Sequence, residues 1–262
     1  MKKKMALCLC VTLLAVAAIG GTMAYFTDTD EATNTFTAEG VKIELIEQQV
    51  NEEGTALEDF SPNQVLMPIV GSAKGDKDDF GQPVAANYID KMVTIENTCN
   101  SDVWVRAYFA IPSALDDGFE NFNADMNILH FDFGNSNKGK DTTYNVQWLW
   151  GSEAVDEHKG YLETTIDQVP YNVYYADYYK ILSPEETTEQ FISGVYLDKN
   201  VDMNEDGKYT ITHDGQVYET GFDGTIVKCP VYAVAVQAAG FDNAADAIKE
   251  AFGEEFNPWA TK

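Results

Sequence analysis

Asp202, Asn204 and Asp206, followed by Gly207, put oxygen-bearing side chains at every second position and a glycine at the sixth. This is the first half of a calcium loop, in which alternate oxygens converge on one hard cation and glycine permits the sharp turn. The twelfth position, where a bidentate Glu would close the shell, is His213, and no helical pattern flanks the segment, so it is not read as an EF-hand. Asp198 and Asn200 extend the same alternation upstream. A solvated acidic turn between two strands uses the same residue types. The sequence therefore leaves calcium as the one cofactor it suggests, beside a purely structural turn.

Other chemistry is sparse. His130, His158 and His213 precede Phe131, Lys159 and Asp214, so the His-Glu-x-x-His spacing that holds zinc and activates its water does not occur. Gly134-Asn135-Ser136-Asn137-Lys138 lacks the final glycine of a nucleophile elbow, and triads assembled from distant residues escape such a test. No catalytic residue is assigned. Tyr171, Tyr174, Tyr175, Tyr178 and Tyr179 could stack on a sugar, or pack the two faces of a sheet. Arg106, the only arginine, lies between Trp104 and Tyr108 on one strand face, which points to a structural ion pair or stacking contact.

The elements that must position these residues are mostly strands. Val41, Ile43 and Leu45 alternate with polar neighbours, as do Ile89, Val93 and Ile95. Val103 to Ile111 is apolar on both faces and reads as a central strand, forming an antiparallel hairpin with the strand before it. Tyr144 to Trp150, Tyr171 to Tyr179, Phe191 to Leu197, Tyr209 to Thr212, Gln216 to Thr220 and Ile226 to Val236 are further strands. Asp214-Gly215 joins two of them through a type I′ turn. One helix follows, with Asp242 as N-cap, Ala244, Ala245, Ile248, Ala251 and Phe252 on one face, and Gly253 and Pro258 as the stop. Residues 113–140 carry no sustained period and read as a loop or insertion. Short strands between Gly, Asn, Asp and Pro clusters give a mostly β fold, an antiparallel sandwich with a C-terminal helix.

Residues 1–24 stand apart. Lys2, Lys3 and Lys4 precede an apolar run from Met5 to Ile19, and Thr22 and Ala24 place small residues before a cut between Ala24 and Tyr25. This is a secretory signal peptide, because the apolar run falls short of the roughly 20 residues that a span needs. Cys8 and Cys10 leave with it. Cys99 and Cys229 remain, and an oxidising compartment allows them to pair or to stay free. The chain carries 17 basic and 43 acidic residues, and removal of three lysines and no acid takes its formal charge from −26 to −29. That acidity excludes nucleic-acid binding through phosphate neutralisation and docking on anionic membranes. No second hydrophobic segment follows, so no stable membrane anchor is expected.

The run Gly20-Gly21-Thr22-Met23-Ala24-Tyr25-Phe26-Thr27-Asp28, continued by Phe36-Thr37-Ala38-Glu39-Gly40-Val41, resembles the start of proteins exported through the SipW signal peptidase, the TasA and camelysin (CalY) family. Lys91 to Arg106, Tyr178 to Thr188 and the final helix resemble its larger clostridial-type members more loosely. The resemblance implies a jelly-roll β-sandwich secreted by a Gram-positive bacterium, processed by a signal peptidase, and assembled with itself or other matrix proteins into fibres. An N-terminal arm, residues 25–40, would be donated to a neighbour's sheet, with Phe26, Phe36, Val41, Ile43 and Leu45 as its apolar contacts and residues 41–262 as the sandwich domain. The camelysin branch is described as metalloprotease. Three function classes follow: a biofilm-matrix or cell-surface structural protein, a monomeric adhesin binding glycan or protein, and a camelysin-like protease.

Overall fold

Alternating apolar residues become strands wherever one face can be buried, and sixteen strands and two short helices form among the described residues. The structure is a computed structural model that describes residues 24–26, 41–62, 64–116, 127–132, 147–150, 161–220, 226–254 and 256–260. The first six strands are β1 (Ala24–Phe26), β2 (Ile43–Val50), β3 (Leu57–Asp59), β4 (Gln64–Leu66), β5 (Ile89–Asn97) and β6 (Val103–Pro112). Helix α1 (Ser113–Asp116) is followed by β7 (Leu129–Asp132), β8 (Trp148–Trp150), β9 (Leu162–Ile166), β10 (Val169–Tyr178) and β11 (Ile192–Leu197). The chain continues through β12 (Val201–Met203), β13 (Tyr209–His213), β14 (Gln216–Glu219), β15 (Ile226–Val227) and β16 (Val231–Gln237) to helix α2 (Ala244–Phe252).

Two five-stranded antiparallel sheets carry the core. One runs β16-β6-β10-β8 with β9 beside β10, the other β3-β2-β5-β11-β7. Val93 and Ile95 of β5, Val105, Ala107 and Phe109 of β6, Ala176 and Tyr178 of β10, and Ile192 and Val195 of β11 share one buried cluster. Each of the Val, Ile and Phe side chains contributes about 1.5–3 kcal/mol through burial. The opposite face of the first sheet is also covered: Trp104, Tyr108, Val234 and Val236 pack against Ala244, Ala247 and Ile248 of α2. This is why β6 is apolar on both faces and buried along its whole length.

The structure corrects three sequence-based expectations. Residues 89–97 and 103–111 do not form a hairpin, because β5 pairs with β2 and β11 while β6 pairs with β10 and β16. Thr98–Asp102 instead crosses between the sheets. The buried Asn97 fixes that crossing by donating from Nδ2 to Ser101 O (2.8 Å) and Leu182 O (2.9 Å). The expected strand from Ile226 to Val236 is two strands in different sheets, broken around Pro230, which has no amide hydrogen to give a ladder. Residues 113–140 hold α1 and the edge strand β7, which pairs with β11, so this stretch is partly ordered sheet. Residues 117–126 and 133–146 lie outside the described residues, as does the first part of the expected strand at Tyr144 to Trp150.

Other expectations are met. Asp214 and Gly215 take φ of 49° and 78°, and His213 pairs with Gln216 across the two-residue turn. α2 forms where expected, although its N-cap is Asn243, whose side chain accepts from Asp246 N at 2.8 Å. Such a cap is worth about 1 kcal/mol. Gly253 follows with φ of 97° and donates its N–H to Lys249 O.

Candidate functional site

Ala24–Phe26 lies between two strands from distant parts of the chain. β1 runs antiparallel to β4, with Ala24 opposite Leu66, Tyr25 opposite Val65 and Phe26 opposite Gln64. On its other edge it runs parallel to β15, with Tyr25 beside Ile226 and Phe26 beside Val227. Burial distinguishes the two faces of this small sheet. Leu66 and Val227 are buried in the main core, whereas Val65 and Ile226 are 41% and 51% exposed. Positions 24 and 26 of β1 are thus paired with the buried Leu66 and Val227, and position 25 with the exposed Val65 and Ile226.

Side chains of β2 hold the β4 edge in place. Gln49 Oε1 accepts from Ser61 N (2.9 Å) and from Gln64 Nε2 (3.0 Å), tying the approach to β4 onto β2. Phe60 sits 4.4 Å below the Lys91 ammonium, and Lys91, fully buried, pairs with Glu47 at 2.9 Å. A cleft beside Gln64 is lined by Gln49, Glu52, Glu58, Tyr88 and Asp90. Burial raises the Asp90 carboxyl from 3.8 to about 6, opposed by a hydrogen bond from the Val50 backbone and reinforced by repulsion from Asp78. On the other edge, Lys228 beside β15 pairs with Asp167 at 3.1 Å.

The residues expected in the arm separate into two sets. Val41 and Ile43 are buried core residues and Leu45 packs against that core, with Ile43 and Leu45 paired to Asn97 and Ile95 of β5. They belong to the domain, because β2 is held on both edges by β3 and β5. Phe36 and the rest of residues 27–40 lie outside the described residues, as do residues 1–23 of the expected signal peptide. What pairs in the slot is the segment that straddles the expected cut at Ala24 and Tyr25.

The remaining candidates are dispersed. Asp202, Asn204 and Asp206 lie on the β12–β13 hairpin, where Asn204 Oδ1 accepts from Asp206 N (3.0 Å) and Lys208 N (2.9 Å), and Asp202 Oδ1 accepts from Met203 N (2.7 Å). Asn204 Nδ2 and Lys208 Nζ both donate to Glu219. Among the described residues no group of three or more His, Cys, Asp or Glu is placed to hold a metal ion. His130 stacks on Tyr196 with 5.2 Å between ring centres and faces Asp198, whereas His158 lies outside the described residues. Cys99 and Cys229 are buried and not joined to each other by a disulfide. The β6–β16 register, Val103 opposite Gln237 and Phe109 opposite Val231, puts them beyond opposite ends of that ladder. Six residues at about 3.3 Å each exceed the reach of a disulfide.

The tyrosine run packs a sheet. Tyr174 and Tyr178 face the inter-sheet core, while Tyr171 and Tyr175 face the helix-covered side. Arg106 forms a bidentate pair with Asp177, Nε to Oδ1 at 2.6 Å and Nη2 to Oδ2 at 2.9 Å, and lies 4.4 Å over the Tyr175 ring. Desolvation pulls the guanidinium down, but Asp177 outweighs it and holds Arg106 above its ordinary value.

The slot itself was not anticipated from the residues. β1, β4 and β15 have three, three and two residues, too few for alternation to register, and β4 went unread although Val65 and Leu66 lie between Pro62 and Pro68. Among the described residues no helix is long and apolar enough to cross a membrane. No curated protein and no solved structure matches the chain. The family model described as camelysin metallo-endopeptidase matches residues 1–62, which include β1, β2 and β3. The resemblance read from residues 20–41 is thus borne out: over residues 1–62 the chain is similar to the camelysin family, which includes TasA and CalY.

Proposed function

We propose that this chain is a secreted structural protein of the cell surface or biofilm matrix of a Gram-positive bacterium, and that it polymerises when the segment beginning at Tyr25 enters the β4–β15 slot of a neighbouring copy. The observation that carries this reading is the pairing of Ala24–Phe26 on both edges. Without that segment, β4 and β15 each present a row of backbone donors and acceptors, a ready template for another extended chain. A second copy offers the same backbone and the same apolar residue at position 26, so exchange conserves the contacts and adds a link. A jelly-roll wiring of the two sheets belongs to the same reading, as do processing at Ala24 and Tyr25 by a signal peptidase and release from the membrane.

The family description names a metallo-endopeptidase. Our reading is structural, since the slot gives the N-terminal segment a binding role that needs no catalytic group. Negative-stain electron microscopy of the chain beginning at Tyr25, beside one beginning at Val41, tests it. Fibres from the longer chain alone are expected. Monodisperse particles from both would overturn the proposal.

A further inference from the structure

We infer that the chain carries a separate pocket for a neutral saccharide, at the end of the first sheet where α1 begins. The depression, open to solvent, has a volume of about 490 Å³, with Ser113, Tyr161, Glu163, Thr165, Pro170 and Asn172 among its lining residues. That volume falls within the range of small-ligand sites. Tyr161 and Asn172 are buried at its floor, whereas Glu163 and Thr165 on β9 are exposed at the rim. Register explains the convergence, since Asn172 of β10 lies opposite Glu163 of β9 and Pro170 opposite Thr165, on one face of the sheet.

A buried carboxylate presets the polar groups. Asp116, 7% exposed, accepts from Asn172 Nδ2 (2.6 Å), Tyr174 OH (2.6 Å) and Asn127 Nδ2 (3.3 Å). With its nitrogen committed to Asp116, Asn172 turns Oδ1 towards Ser113, whose hydroxyl donates to it at 2.8 Å. Ser113 Oγ therefore offers lone pairs and no proton to a ligand. A pocket that combines this acceptor with the Glu163 carboxylate and the Thr165 hydroxyl suits a ligand rich in hydroxyl donors. Acidic sugars are disfavoured by the Glu163 rim and by a chain of formal charge −26. The pocket shares no lining residue with the β4–β15 slot, so the saccharide inference stands apart from the assembly proposal.

Isothermal titration calorimetry on the chain from Tyr25 tests the pocket, with glucose, N-acetylglucosamine, cellobiose and chitobiose as neutral probes, and glucuronate, glucosamine and spermidine as charged ones. Saturable binding of at least one neutral probe is expected, weakened about tenfold, or 1.4 kcal/mol, by Ser113→Ala and by Glu163→Gln at unchanged melting temperature. The Glu163→Gln change lies on an exposed position and keeps the test interpretable if Ser113→Ala perturbs α1. Absence of saturable binding by any neutral probe, binding indifferent to both substitutions, or binding confined to the cationic probes would each overturn the inference. Fibre formation by the Glu163→Gln chain is expected to match that of the parent.

Discussion

Phe26 and Val227 are register partners in the parallel β1–β15 pair, and Val227 is fully buried in the core between the main sheets. The backbone of position 26 thus pairs beside a buried core residue, whichever copy supplies it. Phe26→Asp is expected to abolish assembly, because a carboxylate introduced beside buried Val227 would be desolvated without a partner. Circular dichroism would show the domain still folded, and electron microscopy would show particles in place of fibres. Fibres of undiminished yield would place the anchor elsewhere.

The Arg106–Asp177 pair is 8% and 10% exposed and joins β6 to β10 at the centre of the first sheet. Asp177→Ala leaves the guanidinium buried without its counter-charge, and an expected loss of about 3–5 kcal/mol follows. Urea unfolding of the single variant beside Arg106→Met/Asp177→Leu should show the double change costing much less. Equal losses would mean that the volume of these side chains, and not their charge, matters.

Asp90 gives a pH dependence whose sign is fixed. Burial raises its folded-state value from 3.8 to about 6, so between those values the folded chain holds more protons than the unfolded one. Stability from this group therefore falls as pH rises through that window and stays lower above it. Asp90→Asn removes the fall. With the shift discounted for the solvent contact of a half-buried carboxyl, the variant should be about 1 kcal/mol more stable at pH 7 and equal to the parent only below the unfolded value, near pH 3. Chemical denaturation at both pH values measures the difference.

Formal charge sets a further expectation. A chain with 43 acidic and 17 basic residues repels its copies. Fibre yield should rise with ionic strength, with calcium and with acidification, because each screens or neutralises carboxylates. A yield that stays flat across salt and pH, followed by light scattering, would remove electrostatics from the account.

Much of the frame was legible because some residues leave one physical solution. Val103 to Ile111 is apolar on both faces, which demands strands on both edges and cover on both sides. Asp214-Gly215 states its own turn. The final helix was legible as a helix, but its buried residues are Ala244, Ala247 and Ile248, and Ala245 and Ala251 of the expected face are exposed. The hairpin at residues 89–111 failed because pattern reports that two strands are adjacent in sequence but not whether the turn between them stays in one sheet. The slot and the pocket were hidden for a different reason. Each forms from pieces too short or too distant to signal one another: two or three residues per strand at the slot, and Ser113 bonded to Asn172 across 59 positions at the pocket. Asn204 was legible as a turn former, and its backbone hydrogen bonds show that chemistry in use.

Tyr25 and Val65 are directly opposite across the antiparallel β1–β4 pair. The most direct test of strand exchange mixes a chain carrying Tyr25→Cys with a second carrying Val65→Cys, under mild oxidation after assembly. Exchange predicts a disulfide-linked dimer joining the two different chains in the mixture, with little from either variant alone. Only monomers in the mixture, while a single chain carrying both substitutions closes on itself, would contradict exchange and show that the segment serves its own domain.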